Sequence, residues 1–196
     1  MKTLSFRERF EESYMPVRIP AKNAKGYKTK YIYYAPWYIW DISAVSLKKE
    51  KTLLLVNSIL SLVLFLWVVT RDTKCNYNIF VYAPAVLAFC IHILELAALV
   101  RFACSSTKIT KMIYYEVTEV MQYVPAGRGF LCAISGLVSL IHVFTDNPST
   151  IALCVVAGYM IYAGIAWFVF YRFSRLTCRI EDNNVVSCII DNRKDV

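Results

Sequence analysis

His92 and Glu95 stand three residues apart in Cys90-Ile91-His92-Ile93-Leu94-Glu95-Leu96, a stretch that is otherwise apolar. Three residues is close to one helical turn, so the imidazole and the carboxylate share a helix face. Such a pair can relay a proton or act as acid and base; it can equally be a polar clasp between helices. An ionisable group inside an apolar segment is a candidate functional site, because leaving it there unpaired is expensive. Its surroundings name no mechanism: there is no His-Glu-x-x-His run, and the seven cysteines form no Cys-x-x-Cys pair. His142 lies only four residues from Asp146, roughly 15 Å in helical rise from His92. The two histidines are therefore not expected to share a metal, and neither a metal nor a cofactor is predicted.

The elements that must hold this pair are legible in composition. Of 196 residues, 58% are apolar, 15% aromatic and 18% charged, outside the usual range of a soluble domain. The apolar residues fall into four blocks, predicting helices over 53–70, 79–103, 129–145 and 150–172. A spanning helix needs ~20 such residues to cross ~30 Å of hydrocarbon. The first and third blocks are short and should extend into their polar flanks. The expectation is an all-α integral membrane protein: a tail over 1–52, a four-helix transmembrane domain over 53–172 and a second tail over 173–196. Residues 1–50 carry charge throughout and show no cleavable signal pattern, so the first helix is expected to direct insertion.

Charge placement orients these helices. Lys48, Lys49, Lys51, Arg101, Lys108, Lys111, Arg128, Arg172, Arg175 and Arg179 flank one side and only Arg71 and Lys74 the other, ten against two. The positive-inside rule then puts both termini and the middle loop in the cytoplasm, of a plasma or inner membrane. The net charge of +8 reads as this retention signal, available to anionic headgroups; no nucleic-acid partner is expected.

Groups can cooperate only at one depth. Fourteen residues in from the outer end of each block, ~21 Å by helical rise, stand Asn57, His92, Cys132 and Gly164. Asn57, His92, Cys132 or Ser135, and Tyr162 are thus predicted to form one polar layer. Glu95 sits deeper, where it meets water, Arg128 or a lysine. Cys75 is the one cysteine expected outside; Cys90, Cys132 and Cys154 read as packing residues.

The flanking segments supply surfaces. Ser5 and Glu8 have the spacing of a capping box, predicting a short N-terminal helix, and residues 15–30 read as an extended linker. Tyr31, Tyr33, Tyr34, Trp37, Tyr38 and Trp40 are expected to anchor the tail at headgroup level, the competing reading being an aromatic cage for a cation. An amphipathic cytoplasmic helix is predicted over 107–124, stopped by Pro125-Ala126-Gly127-Arg128-Gly129. Two β-branched runs around Glu181-Asp182-Asn183-Asn184 predict a short C-terminal β-hairpin, which needs a partner strand. Ala157, Gly158 and Gly164 form a small-residue seam for helix packing.

Four helices with a buried His and Glu resemble the sterol-isomerase-like proteins, but the third and fourth blocks add no acidic residue, so that activity is not carried over. Three functions remain. The first is a non-catalytic subunit or scaffold of a membrane complex, partnered by the bilayer and by a second copy or other membrane subunits. The second is an oligomeric channel or small transporter with a His/Glu layer, and the third an intramembrane enzyme for a lipid-soluble substrate.

Overall fold

A computed structural model describes residues 6–22, 26–145 and 149–183. The chain forms two compact units: one within residues 1–41, 106–115 and 178–196, the other comprising 42–105 and 116–177.

The larger unit is built on four long helices, α2 (Ala44–Val69), α3 (Ile79–Cys104), α5 (Val124–Thr145) and α6 (Thr150–Ser174). They number 22 to 26 residues, roughly 33–39 Å at 1.5 Å per residue. All four are long and apolar enough to cross a bilayer, the architecture of a multi-pass integral membrane protein. Their outer faces carry Leu60, Val63, Leu87, Leu94, Ile141, Phe144 and Ile161 in the open. A soluble surface rarely tolerates so much exposed apolar area, and lipid requires it. Side-chain caps start three of the helices. Ser43 accepts from Ser46 N (3.2 Å), Asn78 from Phe80 N (2.8 Å) and Ser149 from Ala152 N (3.1 Å), each satisfying an amide that the helix leaves open.

The short blocks do lengthen into polar sequence. α2 starts nine residues before the predicted 53, taking in Lys48, Lys49 and Lys51. Lys51 is nearly buried, and its ammonium donates to Ser105 O (2.6 Å) and Ser105 Oγ (3.0 Å). It thereby caps the C-terminal end of α3, where positive charge is favoured. At the start of α5, Pro125 does not stop a helix. The amphipathic helix α4 covers Lys111–Met121 only, and α5 has already begun at Val124. Proline in a first turn costs no hydrogen bond, because that amide has no intrahelical acceptor. Arg128, expected near the cytoplasmic boundary, is thereby carried inside the bundle.

Small residues set the spacing of α5 and α6. A Cβ on Gly129 would meet the Trp167 ring at 3.0 Å, and one on Gly136 the Met160 sulfur at 2.9 Å. A Cβ on Gly158 would fall 2.2 Å from Val68 Cγ2, so α2 crosses α6 there. Ala157 and Gly164 point the other way: both are exposed, with nothing within 4 Å of a Gly164 Cβ. The seam therefore divides, Gly158 inward and Ala157 with Gly164 outward.

The smaller unit adds strands to the tails beyond the C-terminal hairpin expected there. After the short helix α1 (Phe6–Glu11), β1 (Tyr14–Pro20) and β2 (Tyr27–Tyr33) form an antiparallel hairpin where a linker was predicted, closed through Gly26 at φ 72°. A second, antiparallel sheet has the order β4–β3–β5, from Lys108–Thr110, Trp37–Trp40 and Cys178–Glu181. β5 thus pairs with β3, Trp37 opposite Glu181 and Trp40 opposite Cys178. The second arm of the predicted C-terminal hairpin lies outside the described residues, as does Ser5 of the capping box. β3 is the central strand, so its aromatics are enclosed. Trp40 is 2% and Tyr38 7% exposed, Tyr33 and Trp37 are half-buried, and Tyr31 and Tyr34 stay in the open. Tyr38 stacks on Tyr114 at 4.2 Å, and burial pushes its phenol up to about 12, which keeps it a neutral hydroxyl. Tyr33 Oη accepts from Lys111 N (2.8 Å) and donates to Pro36 O (2.5 Å). Aromatic residues with polar tips suit a water–lipid boundary and a small sheet core equally well; strand pairing decides for the core at Tyr38 and Trp40.

Candidate functional site, a buried polar layer across four helices

The inward stripe of α3 runs Val81, Ala85, Ala88, His92, Glu95, Leu99 and Phe102, with three-to-four spacing. His92 and Glu95 occupy two core positions of an otherwise apolar face. Across from them, the stripe of α2 runs Leu54, Ser58, Ser61, Phe65 and Val68. α5 contributes Arg128 and α6 contributes Tyr162. Ser58, Ser61, His92, Glu95, Arg128 and Tyr162 are all 0% exposed.

Arg128 faces Glu95 side-on. Nη2 donates to Oε1 at 3.0 Å and Nε lies 2.9 Å from Oε2. The second contact has the reach of an ion pair without the angle of a hydrogen bond. Together they form the two-point fork that suits guanidinium and carboxylate. Arg128 Nη1 also donates to Ser61 Oγ (3.0 Å), and Ser61 Oγ in turn donates to Ser58 O (2.8 Å). The guanidinium carbon lies 4.7 Å from the Tyr162 ring centre, where the ring face attracts a cation.

His92 bridges the remaining members. Nδ1 is 2.8 Å from Tyr162 Oη, Nε2 is 2.9 Å from Ser58 Oγ, and Ser58 Oγ is 3.5 Å from Glu95 Oε1. One proton arrangement satisfies all three contacts. Tyr162 donates to Nδ1, the Nε2–H donates to Ser58, and the Ser58 hydroxyl turns to Glu95. The opposite tautomer would have Ser58 donating to Nε2, away from the carboxylate, and would leave the Tyr162 proton without an acceptor in this set. Donors from both directions therefore converge on Glu95, and the Glu95–Arg128 pair sums to zero charge.

Of the residues read from sequence, the structure brings together His92, Glu95 and Tyr162, with Arg128 as the partner of Glu95. Asn57 is not among them: it is half-buried, and its amide returns to Leu53 O (2.8 Å) on its own helix. Ser135 is buried but donates to Val81 O (3.0 Å) and Leu131 O (3.3 Å), two turns along α5 from Arg128. Cys132 packs in the apolar core with Phe65, Val81 and Tyr159. His142 bonds the Asn78 side chain instead. Ser58 and Ser61 were missed, although the three-to-four stripe of α2 carried the signal. Cys75 is 4% exposed, with its thiol 3.8 Å from Ser139 O, so it is poorly placed as an outside label. Among the described residues, cavities of about 560, 370 and 260 Å³ are lined by other side chains than these six. Comparison with family models, with curated proteins and with solved structures gave no match.

Proposed function

We propose that this chain is a non-catalytic subunit or scaffold of a membrane complex, and that its polar layer is a clasp fixing the four helices in register. The observation that carries this reading is that six side chains from all four helices are fully enclosed and pair among themselves, including the Glu95–Arg128 ion pair. Helices in lipid gain little from hydrophobic burial against each other, so packing and interhelical hydrogen bonds must set their register. Both termini lie in the cytoplasm in this proposal. Lys51 and Arg128 are engaged inside the bundle, and removing them from the ten-to-two count still leaves eight flanking charges against two. Anionic headgroups are the lipid partner, and the outward Ala157 and Gly164 are where a second copy or another subunit approaches.

The test removes titration but keeps hydrogen bonding. Glu95→Gln alone would strand the Arg128 charge, so the informative variants are His92→Gln and the double Glu95→Gln/Arg128→Gln. Both should retain expression, native mass and whatever proteins co-purify in mild detergent. The converging direction of the hydrogen bonds also favours a second reading, in which Glu95 is the end of a proton relay in an oligomeric channel or small transporter. Under that reading the same variants assemble normally and lose transport, an outcome that defeats the clasp. Orientation is read separately from Lys74→Cys, which an impermeant maleimide should modify from outside in intact cells; labelling only after lysis reverses the topology.

A further inference from the structure

A cavity of about 370 Å³ sits where α2 gives way to the short 3-10 turn Lys74–Tyr77 and the start of α3, and none of its lining residues belongs to the polar layer. Its floor is chemically spent. The Asn76 amide donates to Val68 O (3.0 Å) and Arg71 O (2.9 Å), closing the C-terminal carbonyls of α2, and its oxygen accepts from Tyr159 Oη (3.1 Å). The walls are different. Arg71 and Asp72 are neighbours of opposite charge, both line the cavity and both are exposed. They do not pair with each other: the Arg71 guanidinium lies over the Trp67 ring at 4.6 Å, and Asp72 accepts only from Tyr77 Oη (3.1 Å) among the described residues. Tyr77 and Tyr82 add phenol rings to the lining, surfaces that attract an ammonium group.

A cavity with one open cation, one open anion and aromatic walls selects against a ligand of either single sign. An anion alone would meet Asp72, and a cation alone would meet Arg71. A ligand carrying an anionic oxygen group and an ammonium satisfies both. The surroundings indicate where it comes from. Trp67, Ile79, Phe80 and Tyr82 are 40–70% exposed around this end of the bundle, the aromatic-rich pattern of a headgroup boundary.

We propose that this cavity binds the headgroup of a zwitterionic phospholipid, its phosphate at Arg71 and its ammonium between Asp72 and the Tyr77 and Tyr82 rings. The full chain, extracted in mild detergent and exposed to equal amounts of phosphatidylethanolamine and phosphatidylglycerol, should retain the former about tenfold better by native mass spectrometry. Asp72→Asn should bring that ratio close to one, and Arg71→Gln should lower the retention of both lipids, since both carry the phosphate, while Lys74→Gln, which does not line the cavity, should change neither. All three side chains are exposed, so none of the substitutions removes a core contact, and an unchanged thermal midpoint verifies this. The proposal is overturned if the chain shows no lipid preference, if the preference survives Asp72→Asn, or if Arg71→Gln leaves the retention of both lipids unchanged. It is also overturned as a lipid site if soluble O-phosphorylethanolamine binds through Arg71 and Asp72 while the two lipids are retained equally.

Discussion

The polar layer of the helical unit and the aromatic cluster of the sheet unit bury polar atoms by opposite means. In the layer, charged and hydroxyl groups from α2, α3, α5 and α6 satisfy one another, and the partners are far apart in sequence. In the cluster, Tyr33, Trp37, Tyr38 and Trp40 bury large rings, and the Tyr33 hydroxyl is met by main chain rather than by side chains, Lys111 N and Pro36 O. A bundle facing lipid gains little from hiding apolar area and is held by packing and specific ties, whereas a small sheet depends on the area it hides. The two regions should therefore fail differently, the first by stranding a charge and the second by losing volume.

The largest effect is expected at Arg128. Arg128→Met leaves the Glu95 carboxylate uncompensated in a dry interior, at a cost of about 3–5 kcal/mol. Adding Glu95→Leu should recover most of that loss, because the fully apolar pair has no charge to strand. Unfolding in detergent, followed for both single variants and the double, reads this directly; a double variant as unstable as the single would mean that the ion pair is not the unit of stability. In the sheet, Trp40→Ala should cost about 3 kcal/mol or somewhat more from lost volume alone, with no second substitution able to rescue it. Exposed Tyr31→Ala should stay within about 0.5 kcal/mol. Hydrogen exchange across β3 and β5 distinguishes them, and equal protection in the two variants would remove Trp40 from the core.

How far each region was readable follows from the same contrast. Hydropathy revealed the spans because a bilayer imposes length and apolarity residue by residue, and the His92/Glu95 pair stood out against that background. Depth counting reached the right level of α2 but selected Asn57, whereas the inward position belongs to Ser58, about 100° further round the helix. Arg128 was misjudged because Pro125, Gly127 and Gly129 suggested a loop, although a proline in a first turn and a glycine at a close helix contact, Gly129 against Trp167, are both compatible with α5. The sheet unit was harder. Its strands pair across long separations, Trp37 with Thr110 and with Glu181, and no local pattern distinguishes a tyrosine that docks in a sheet from one that lies on a membrane.

Packing glycines test the contrast at smaller scale. Gly158→Ala places a methyl 2.2 Å from Val68 Cγ2, which the α2–α6 crossing must relieve by shifting, at about 1–3 kcal/mol. A Cβ on Gly164 meets nothing within 4 Å among the described residues, so the thermal midpoint of Gly164→Leu should not fall. Loss of native mass in that variant would then report a contact between chains, uncomplicated by damage within one. If Gly164→Leu instead unfolds the monomer, the outward placement of this face is wrong.

The smallest difference is expected between two adjacent residues of α2, and it bears on whether the layer is as closed as its geometry implies. Asn57 spends its amide on Leu53 O within its own helix, and its substitution by alanine removes no interhelical bond, so the change should lie within about 0.5 kcal/mol. Ser58→Ala removes the acceptor for His92 Nε2 and the weak donor to Glu95, which leaves a buried N–H unmet at about 1–3 kcal/mol. Detergent unfolding of the two variants side by side provides the measurement. If Asn57→Ala is the more damaging, the polar layer is rotated relative to the α2 stripe, and Ser58 is a bystander. If both are silent, water reaches His92 and replaces the lost partner, and a layer open to water suits a relay better than a clasp.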